Sequence, residues 1–257
     1  MKSLLFDIDG VLYLKGRAIK GAAEVIHWAE EQQIPFRFVT NTTSRSCARI
    51  CSDLSGAGIP VSEEQIITPP VAARLWLQQQ GIEQIQLLVP QGIRREFSGV
   101  EDKRPQAVVM GDMGAEFTFD KLNSAFRTLM ENPDAQLVAL GMTRYFAAAD
   151  GLQLDVGPFV KALEYATGKS AVVMGKPAAG FFQLALDAVQ AEAAETLMIG
   201  DDRVGDVLAA QACGMRACLV RTGKYRAGDE DADEQGSKPQ YVIDSVADVP
   251  ALWSSLS

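Results

Sequence analysis

The chain has 257 residues, which is long enough for one large domain or for a core domain that carries an inserted second domain. Hydrophobic residues make up 47% of the sequence and charged residues 22%, a composition typical of soluble globular proteins. The formal net charge is −9, whereas nucleic-acid-binding proteins usually carry an excess of basic residues. An anionic substrate can still bind, because a metal ion can reverse the local charge.

No segment has the length and continuous apolarity of a transmembrane helix, and the sequence begins with a strand-like run rather than a signal peptide. We therefore expect a cytoplasmic protein with neither a membrane nor a nucleic acid as its partner. The cysteines at Cys47, Cys51, Cys213 and Cys218 are expected to be reduced packing thiols. With His27 as its only histidine, the chain is a poor candidate for Ser-His-Asp chemistry.

The first part of the chain alternates strand and helix patterns. Those patterns are the strand "SLLFDI", the helix "GAAEVIHWAEEQQ", the strand "PFRFVTN", a helix near "SRSCARICSDLSGAGI" and the helix "ARLWLQQQGI". Such alternation predicts parallel βαβ units in an open α/β sheet.

The middle of the chain, from about residue 78 to 168, repeats the same type of pattern. It contains the strands "IQLLVP", "QAVVMGD" and "QLVALG" and the helix "FDKLNSAFRTLME". Taken alone, this block could extend the main sheet or form a separate small α/β domain.

The last part of the chain returns to the alternation of the first. It reads as "AVVMGKP", the helix "AGFFQLALDAVQ", the strand "TLMIGDD", the helix "DVLAAQACG", the strand "RACLVRTG" and a late strand "YVIDS". The acidic run "GDEDADEQG" is interpreted as a solvated surface loop.

Four groups of polar residues each follow a predicted strand. They are Asp7 with Asp9, Thr40 with Asn41 and Thr42, Lys176 alone, and Asp201 with Asp202 and Asp206. In open α/β sheets, ligands bind outside the carboxyl ends of the strands, so these groups are expected to meet there.

Each group also has an ordinary structural interpretation. Asp-Gly and Gly-Asp-Asp are common in turns, "TNTTS" resembles a helix N-cap, and a single lysine usually lies on the surface. The pair Gly111–Asp112 also follows a strand, but it lacks the second aspartate that Asp206 supplies five residues after Asp201, so it is interpreted as structural. The order and placement of all four groups together favour a functional site.

The pair Asp7 and Asp9 carries a cost that needs an explanation. Residues two apart in an extended chain point to the same side, and two like charges ~4 Å apart repel by roughly 4 kcal/mol at an effective dielectric near 20. Water, a bound proton or a cation can relieve this repulsion.

The order D-x-D-G, T-N, G-K-P and G-D-D-x-x-x-D resembles the haloacid dehalogenase superfamily over essentially the whole chain. The long insertion between "TNTTS" and "GKP" is similar to that of the subclass with a large α/β cap. The segments "FRFVTNTTSRS", "GPFVKALEYATGKSAVVMGKP" and "VRTGKY" are similar to the phospholysine phosphohistidine inorganic pyrophosphate phosphatase subgroup.

This resemblance implies an α/β fold with two parts. The expected core is a doubly wound, Rossmann-like parallel sheet formed by residues 1–77 and 169–257. Residues 78–168 are expected to form a smaller inserted α/β cap that covers the site and sets specificity, with hinges near 78–81 and 167–169.

The resemblance also implies a Mg²⁺-dependent phosphatase that acts on a small phosphorylated substrate through an aspartyl-phosphate. Asp7 would be the nucleophile and Asp9 the general acid and base. The implied ligands of the phosphoryl group are Thr40, Asn41, Thr42 and Lys176, and those of Mg²⁺ are Asp7, the backbone carbonyl of Asp9, and Asp201. Asp206 would support the metal indirectly, by contacting its direct ligands or through water.

Some points stay open at this stage. The alternatives are a phosphotransferase or phosphomutase on the same fold, a non-enzymatic receiver-type signalling module, and an inactive scaffold. The substrate can be a phosphate ester, a phosphoramidate or pyrophosphate, and the resemblance allows a homodimer through the cap. Gly205 stands where related proteins usually carry a threonine, which bears on the hydrogen bonding of Asp206.

Overall fold

The computed structural model describes residues 1–97, 104–148, 151–233 and 235–256. The strands of this part of the chain are β1 (Ser3–Asp7), β2 (Tyr13–Leu14), β3 (Arg17–Ala18), β4 (Phe36–Val39), β5 (Ile66–Ile67), β6 (Ile85–Leu88), β7 (Ala107–Met110), β8 (Gln136–Ala139), β9 (Tyr145–Ala148), β10 (Gly151–Leu154), β11 (Val172–Val173), β12 (Thr196–Gly200), β13 (Arg216–Val220) and β14 (Tyr241–Ile243). The helices are α1 (Ala22–Glu31), α2 (Cys47–Gly56), α3 (Pro69–Gln79), α4 (Phe119–Glu131), α5 (Val156–Thr167), α6 (Ala179–Val189), α7 (Ala209–Ala212) and α8 (Val249–Ser255).

The chain divides into two compact units. The first unit contains residues 1–40, 47–67 and 176–257, and the second contains residues 41–46 and 68–175. Each unit has a parallel sheet of its own.

The sheet of the first unit has the strand order β14-β13-β12-β1-β4-β5, and all neighbouring strands are parallel. From β1, the chain builds outward through β4 and β5 and later returns to the other side of β1 with β12. The strand order therefore reverses between β1 and β12, which is where open α/β sheets place their ligands. The predicted doubly wound parallel core is confirmed.

Burial on both faces explains why β1 reads as a continuous apolar run. Leu4, Leu5 and Phe6 are fully buried. The Phe6 ring lies 6.4 Å from that of Phe38 on the adjacent β4. An apolar strand of this kind fixes the backbone that leads to Asp7, the last residue of β1.

The second unit has a core of its own beneath the sheet β11-β8-β7-β6. Helices α4 and α5 pack on this sheet, and the Phe117 and Phe159 rings stack 4.0 Å apart beside them. Strands β9 and β10 form a separate antiparallel pair. The sequence analysis identified neither this pair nor helices α5 and α8.

The second unit begins earlier and ends later than the predicted limits of 78 and 168. Helix α3, whose N-terminus is capped by the Thr68 hydroxyl, lies in the second unit rather than in the core. Strand β11, assigned from sequence to the core side, pairs with β8 and so completes the second sheet. The unit boundaries lie at 40/41, 46/47, 67/68 and 175/176, and the hinge positions near 78–81 and 167–169 stay a prediction.

No helix in the described ranges is long and apolar enough to span a membrane. All four cysteines are free thiols, as predicted. The Gly111–Asp112 pair lies in the second unit, where the Asp112 carboxylate accepts the Gly114 N–H in a turn, and its structural role stays a prediction.

Candidate active site

A buried lysine joins two of the sequence-predicted motifs. The Nζ atom of Lys176 lies 2.6 Å from Oδ1 of Asp7 and 2.7 Å from Oδ1 of Asp206. At most 8% of any of these three side chains is exposed. A cation between two buried carboxylates offsets the repulsion between them. The pair that Lys176 joins is Asp7 and Asp206, whereas the sequence analysis considered the repulsion between Asp7 and Asp9.

A π-helical turn directs Asp206 toward this lysine. The turn spans Arg203–Leu208, and Val207 N–H donates to the Asp202 carbonyl. A Cβ atom on Gly200 would overlap the Asp206 side chain, so only glycine at the end of β12 leaves room for it. The Oδ2 atom of Asp206 accepts the Asp202 N–H at 3.2 Å. Asp206 is thus fixed by direct contacts despite the glycine at position 205.

Asp202 caps the N-terminus of this turn and lies outside the buried cluster of Asp7, Lys176 and Asp206. Its Oδ1 accepts the N–H groups of Val204 and Gly205, and its Oδ2 accepts from Lys224 Nζ at 3.1 Å. A Cβ atom on Gly205 would come within 3.2 Å of the Asp202 carboxylate carbon, so glycine lets this carboxylate fold back onto the turn. Burial acts to raise the pKa of Asp202, but the Gly205 N–H and the Lys224 charge hold it below its usual range.

Asp201, at the end of β12, has one satisfied oxygen and one unsatisfied oxygen. Its Oδ2 accepts the backbone N–H of Lys224 at 2.7 Å. Its Oδ1 is buried and has no hydrogen-bond partner among the described residues. Leaving a buried carboxylate oxygen unpaired costs free energy, so this atom indicates a ligand.

Burial shapes the protonation of the cluster. It raises the pKa of Asp7 well above its usual range, against the opposing charge of Lys176. It also raises the pKa of Asp201 to about 6. Burial alone would lower the pKa of Lys176, but the Asp206 and Asp7 carboxylates raise it. The site thus holds more carboxylates than one lysine can neutralise.

These residues fit a hard divalent cation. Asp7, Asp201 and Asp206 each offer a carboxylate oxygen, and these oxygens lie within 4.8 Å of one another. Mg²⁺ prefers oxygen ligands from a few carboxylates, completed by water and phosphate. Asp206 belongs to this group, whereas the sequence analysis predicted that it supports the metal only indirectly. The prediction for Asp9 concerns its backbone carbonyl and stays a prediction.

Asp9 differs from Asp7 in its surroundings. Asp7 is buried, whereas Asp9 is exposed in a turn where Gly10 N–H donates to the Tyr13 carbonyl. An exposed carboxylate beside a buried one can exchange protons with a leaving group and with water, as a general acid and base must.

The three residues predicted to bind phosphate are divided between the units. Thr40 follows β4 in the first unit, is buried, and donates its N–H to the Ile67 carbonyl. Asn41 and Thr42 belong to the second unit. There, Arg45 donates to the Thr42 hydroxyl at 3.3 Å, and a Cβ atom on Gly175 would lie 3.1 Å from Asn41 Oδ1. Their phosphate-binding role stays a prediction.

The sequence analysis missed the segment Thr222–Lys224, which follows β13 and supports Asp201. The signal was available, because this segment also lies at the carboxyl end of a predicted strand. The sequence analysis quoted "VRTGKY" only as a segment of family resemblance and gave its residues no role at the site.

Comparison with known proteins gives consistent matches along the chain. A family model described as haloacid dehalogenase-like hydrolase matches residues 4–101, and a second, described as HAD-hydrolase-like, matches residues 173–249. The chain is 42% identical over 256 residues to phospholysine phosphohistidine inorganic pyrophosphate phosphatase of Homo sapiens, covering 98% of this chain and 94% of that protein.

Two further matches extend this result. Haloacid dehalogenase-like hydrolase domain-containing protein 2 of Bos taurus is 42% identical over 231 residues, covering 90% of this chain and 88% of that protein. The solved structure of p-nitrophenyl phosphatase from Archaeoglobus fulgidus superimposes with a TM-score of 0.84 at 26% identity, covering 98% of each chain.

Proposed function

The chain belongs to the haloacid dehalogenase-like hydrolases, and on this premise we propose that it is a Mg²⁺-dependent phosphatase that forms an aspartyl-phosphate on Asp7. The observation that carries the proposal is the buried contact of 2.6 Å between Lys176 Nζ and Asp7 Oδ1 at the end of β1. A lysine in this position favours the ionised carboxylate, opposing the burial that raises the pKa of Asp7, and adds positive charge where a phosphoryl group would arrive.

The first chemical step uses Asp7 and Asp9. A carboxylate oxygen of Asp7 forms a bond to phosphorus, and the bond from phosphorus to the leaving oxygen or nitrogen breaks. The leaving atom keeps the electron pair of that bond and takes a proton from Asp9. The products of this step are the leaving group and a phosphorylated Asp7.

The second step restores the enzyme. Asp9, now ionised, takes a proton from a water molecule, which attacks phosphorus and releases inorganic phosphate. The electron pair of the broken bond returns to the Asp7 carboxylate. The exposure of Asp9 supports this dual role, because the same carboxylate must reach both the leaving group and water.

Asp7, Asp201 and the backbone carbonyl of Asp9 would hold the Mg²⁺ ion, with Asp206 beside them. When bound, Mg²⁺ supplies positive charge that offsets the negative charge of the phosphoryl oxygens. Two observations support this assignment: Asp201 Oδ1 has no hydrogen-bond partner in the part of the chain that the structure describes, and three carboxylate oxygens lie within 4.8 Å of one another.

Lys176, Thr40, Asn41 and Thr42 would hold the phosphoryl oxygens. Thr40 follows β4, the strand that pairs with β1, so its backbone and hydroxyl lie at the same end of the sheet as Asp7. Asn41 and Thr42 continue the same loop and supply an amide and a second hydroxyl.

The substrate class is a small phosphorylated molecule with a P–O or P–N bond. The human relative is named for phospholysine, phosphohistidine and inorganic pyrophosphate, which supports phosphoramidates and pyrophosphate as substrates beside phosphate esters. We further propose that residues 68–175 determine which of these substrates are accepted, because this unit has its own core and interrupts the catalytic unit.

We also propose a cytoplasmic homodimer formed through this second unit. Strands β9 and β10 support the dimer, because they expose large apolar side chains: Tyr145 is 51% exposed, Leu152 is 72% exposed and Leu154 is 59% exposed. Light scattering on the full chain and on Leu152→Glu tests the dimer, since a wild-type monomer would contradict it.

Phosphate release from a panel of esters, phosphoramidates and pyrophosphate tests the function. We expect many turnovers per enzyme with Mg²⁺, none with a chelator, and none in Asp7→Asn, whose fold is checked by its unfolding transition. A single turnover would indicate a receiver-type module, and transfer to an added sugar would indicate a phosphotransferase. Near-wild-type activity in Asp7→Asn would contradict the covalent step.

A further inference from the structure

The turn Thr222–Lys224, referred to below as the 222–224 turn, contacts Asp201 although it has no role in the proposed reaction. It follows β13, which pairs with β12, the strand that ends beside Asp201. Its Lys224 N–H donates to Asp201 Oδ2 at 2.7 Å. A neutral backbone donor thus occupies one oxygen of this carboxylate and leaves the other, Oδ1, without a partner among the described residues.

Two glycines enclose the same oxygen. A Cβ atom on Gly10 or on Gly223 would overlap Asp201 Oδ2, and each of these Cβ atoms would also approach the Cα of the other glycine at less than 3 Å. Both glycines have a positive φ, 89° at Gly10 and 64° at Gly223. Glycine is required at both positions by backbone conformation and by space, so the carboxylate is held between two bare backbones.

A hydroxyl group closes the enclosure. The Oγ1 atom of Thr222 donates to the Gly10 carbonyl at 2.5 Å. Gly10 belongs to the loop that carries Asp9 and directly follows Asp7, the last residue of β1, and Thr222 and Gly10 are 212 positions apart in sequence. This bond ties the nucleophile loop to the 222–224 turn across the carboxylate of Asp201.

We propose that the 222–224 turn is a positioning clamp for the metal ligand Asp201. By fixing Oδ2 between Gly10, Gly223 and the Lys224 N–H, the clamp presents Oδ1 to the cation before the cation binds. Thr222 acts through Gly10 and Asp201 and is a positioning residue. This inference rests on the proposed function, since it assumes that the ion held by Asp201 is Mg²⁺.

Preorganisation of this kind predicts a specific effect on metal affinity. Partners that orient metal ligands typically contribute about 10–100-fold to affinity. A merely structural bond would change stability and leave the affinity of the folded protein for Mg²⁺ unaltered. Mg²⁺ affinity therefore separates the two roles.

The test is calorimetric titration of the full-length chain with Mg²⁺ alone. Thr222→Val keeps the shape of the side chain and removes the donor, and we expect it to bind Mg²⁺ at least about 10-fold more weakly. Thr222→Ser keeps the donor and should bind like the wild type. Thr167→Val is the matched control, since its hydroxyl also donates to a backbone carbonyl, that of Leu163, but lies in the second unit. It should leave Mg²⁺ affinity unchanged.

Steady-state kinetics complement the titration by comparing the apparent KM for Mg²⁺ with kcat. In Thr222→Val, the apparent KM for Mg²⁺ should rise, and kcat at saturating Mg²⁺ should recover toward the wild-type value. Gly223→Ala is the second variant should Thr222→Val fail to fold, and it should weaken Mg²⁺ binding because its Cβ displaces Asp201 Oδ2.

The outcomes distinguish a failure of the clamp proposal from a failure of the proposed function. If wild-type protein binds Mg²⁺ and the folded Thr222→Val or Gly223→Ala variant binds it equally well, the clamp is wrong and the proposed function stands. If the wild-type protein binds no Mg²⁺, the metal assignment and the clamp are both overturned.

Discussion

Lys176 Nζ lies 2.6 Å from Asp7 Oδ1, and both side chains are buried although the two residues are 169 positions apart in sequence. The same ammonium group lies 2.7 Å from Asp206. The lysine therefore has two roles, because it neutralises two buried carboxylates and lies beside the proposed nucleophile. Its removal should be felt in stability as well as in catalysis.

Lys176→Met should destabilise the fold in the absence of Mg²⁺. Removal of one partner from a buried ion pair leaves charge without compensation and typically costs about 3–5 kcal/mol. Urea unfolding at neutral pH measures the change in the free energy of unfolding. The control is Lys121→Met, which removes an exposed pair with Glu116 and should cost at most about 1 kcal/mol. Equal, small effects in the two variants would contradict the role of Lys176.

Asp9→Asn should keep Mg²⁺ affinity and lose most of the rate. The substitution retains the backbone carbonyl proposed as a ligand and removes the acid and base, which typically contributes about 10²–10⁴-fold. The loss in the first step should be smaller for an aryl phosphate, whose leaving group needs no proton. Calorimetry measures the Mg²⁺ affinity, and steady-state rates with an aryl phosphate and with an alkyl phosphate measure the loss of rate. Weakened metal binding with an unchanged rate at saturating Mg²⁺ would reverse the assignment.

Stabilisation by Mg²⁺ should increase with pH. Burial raises the pKa of folded Asp201 to about 6. A raised carboxyl pKa favours the folded state only while the proton is bound, so this contribution is full below about pH 4, the unfolded value, and is lost as pH rises through about 6. Mg²⁺ needs the ionised carboxylate.

The rise in melting temperature caused by Mg²⁺ should therefore be small at about pH 5 and large at about pH 7.5. Thermal unfolding with Mg²⁺ and with a chelator at both values measures the difference. An effect of Mg²⁺ that is the same at both pH values would place the ion away from Asp201.

Much of the core and its site could be predicted because they depend on local signals. Buried runs such as "SLLFDI" show where strands lie, and polar residues directly after them show which end of the sheet carries ligands. Family resemblance then supplied the roles of Asp7, Asp9 and Lys176.

Contacts between segments that are distant in the chain could not be predicted from the sequence. That Asp206 shares Lys176 with Asp7 depends on the π-helical turn and on the space at Gly200, neither of which has a periodic signature. Strand β11 reads like any short apolar strand, and only its pairing with β8 assigns it to the second unit. Unit boundaries follow from pairing, which sequence pattern alone does not specify.

Replacement of residues 68–175 by a short linker should alter specificity more than chemistry. All carboxylates of the proposed site and Lys176 lie in the first unit, so the remaining core should still attack small activated aryl phosphates. Its preference among larger substrates should collapse. Rates across the substrate panel measure this, after an unfolding transition has confirmed the folded core. A folded core that keeps the full substrate ranking of the parent would show that the second unit is not the specificity element.

The covalent intermediate on Asp7 is the central claim, and its capture tests it most directly. Asp9→Asn should form the aspartyl-phosphate from p-nitrophenyl phosphate with Mg²⁺, because this leaving group needs no proton, and should hydrolyse it slowly. Acid quenching, borohydride reduction and mass spectrometry of the peptides should then show the Asp7 carboxyl reduced to an alcohol. Release of phosphate by this variant with Asp7 unmodified throughout turnover would contradict the account.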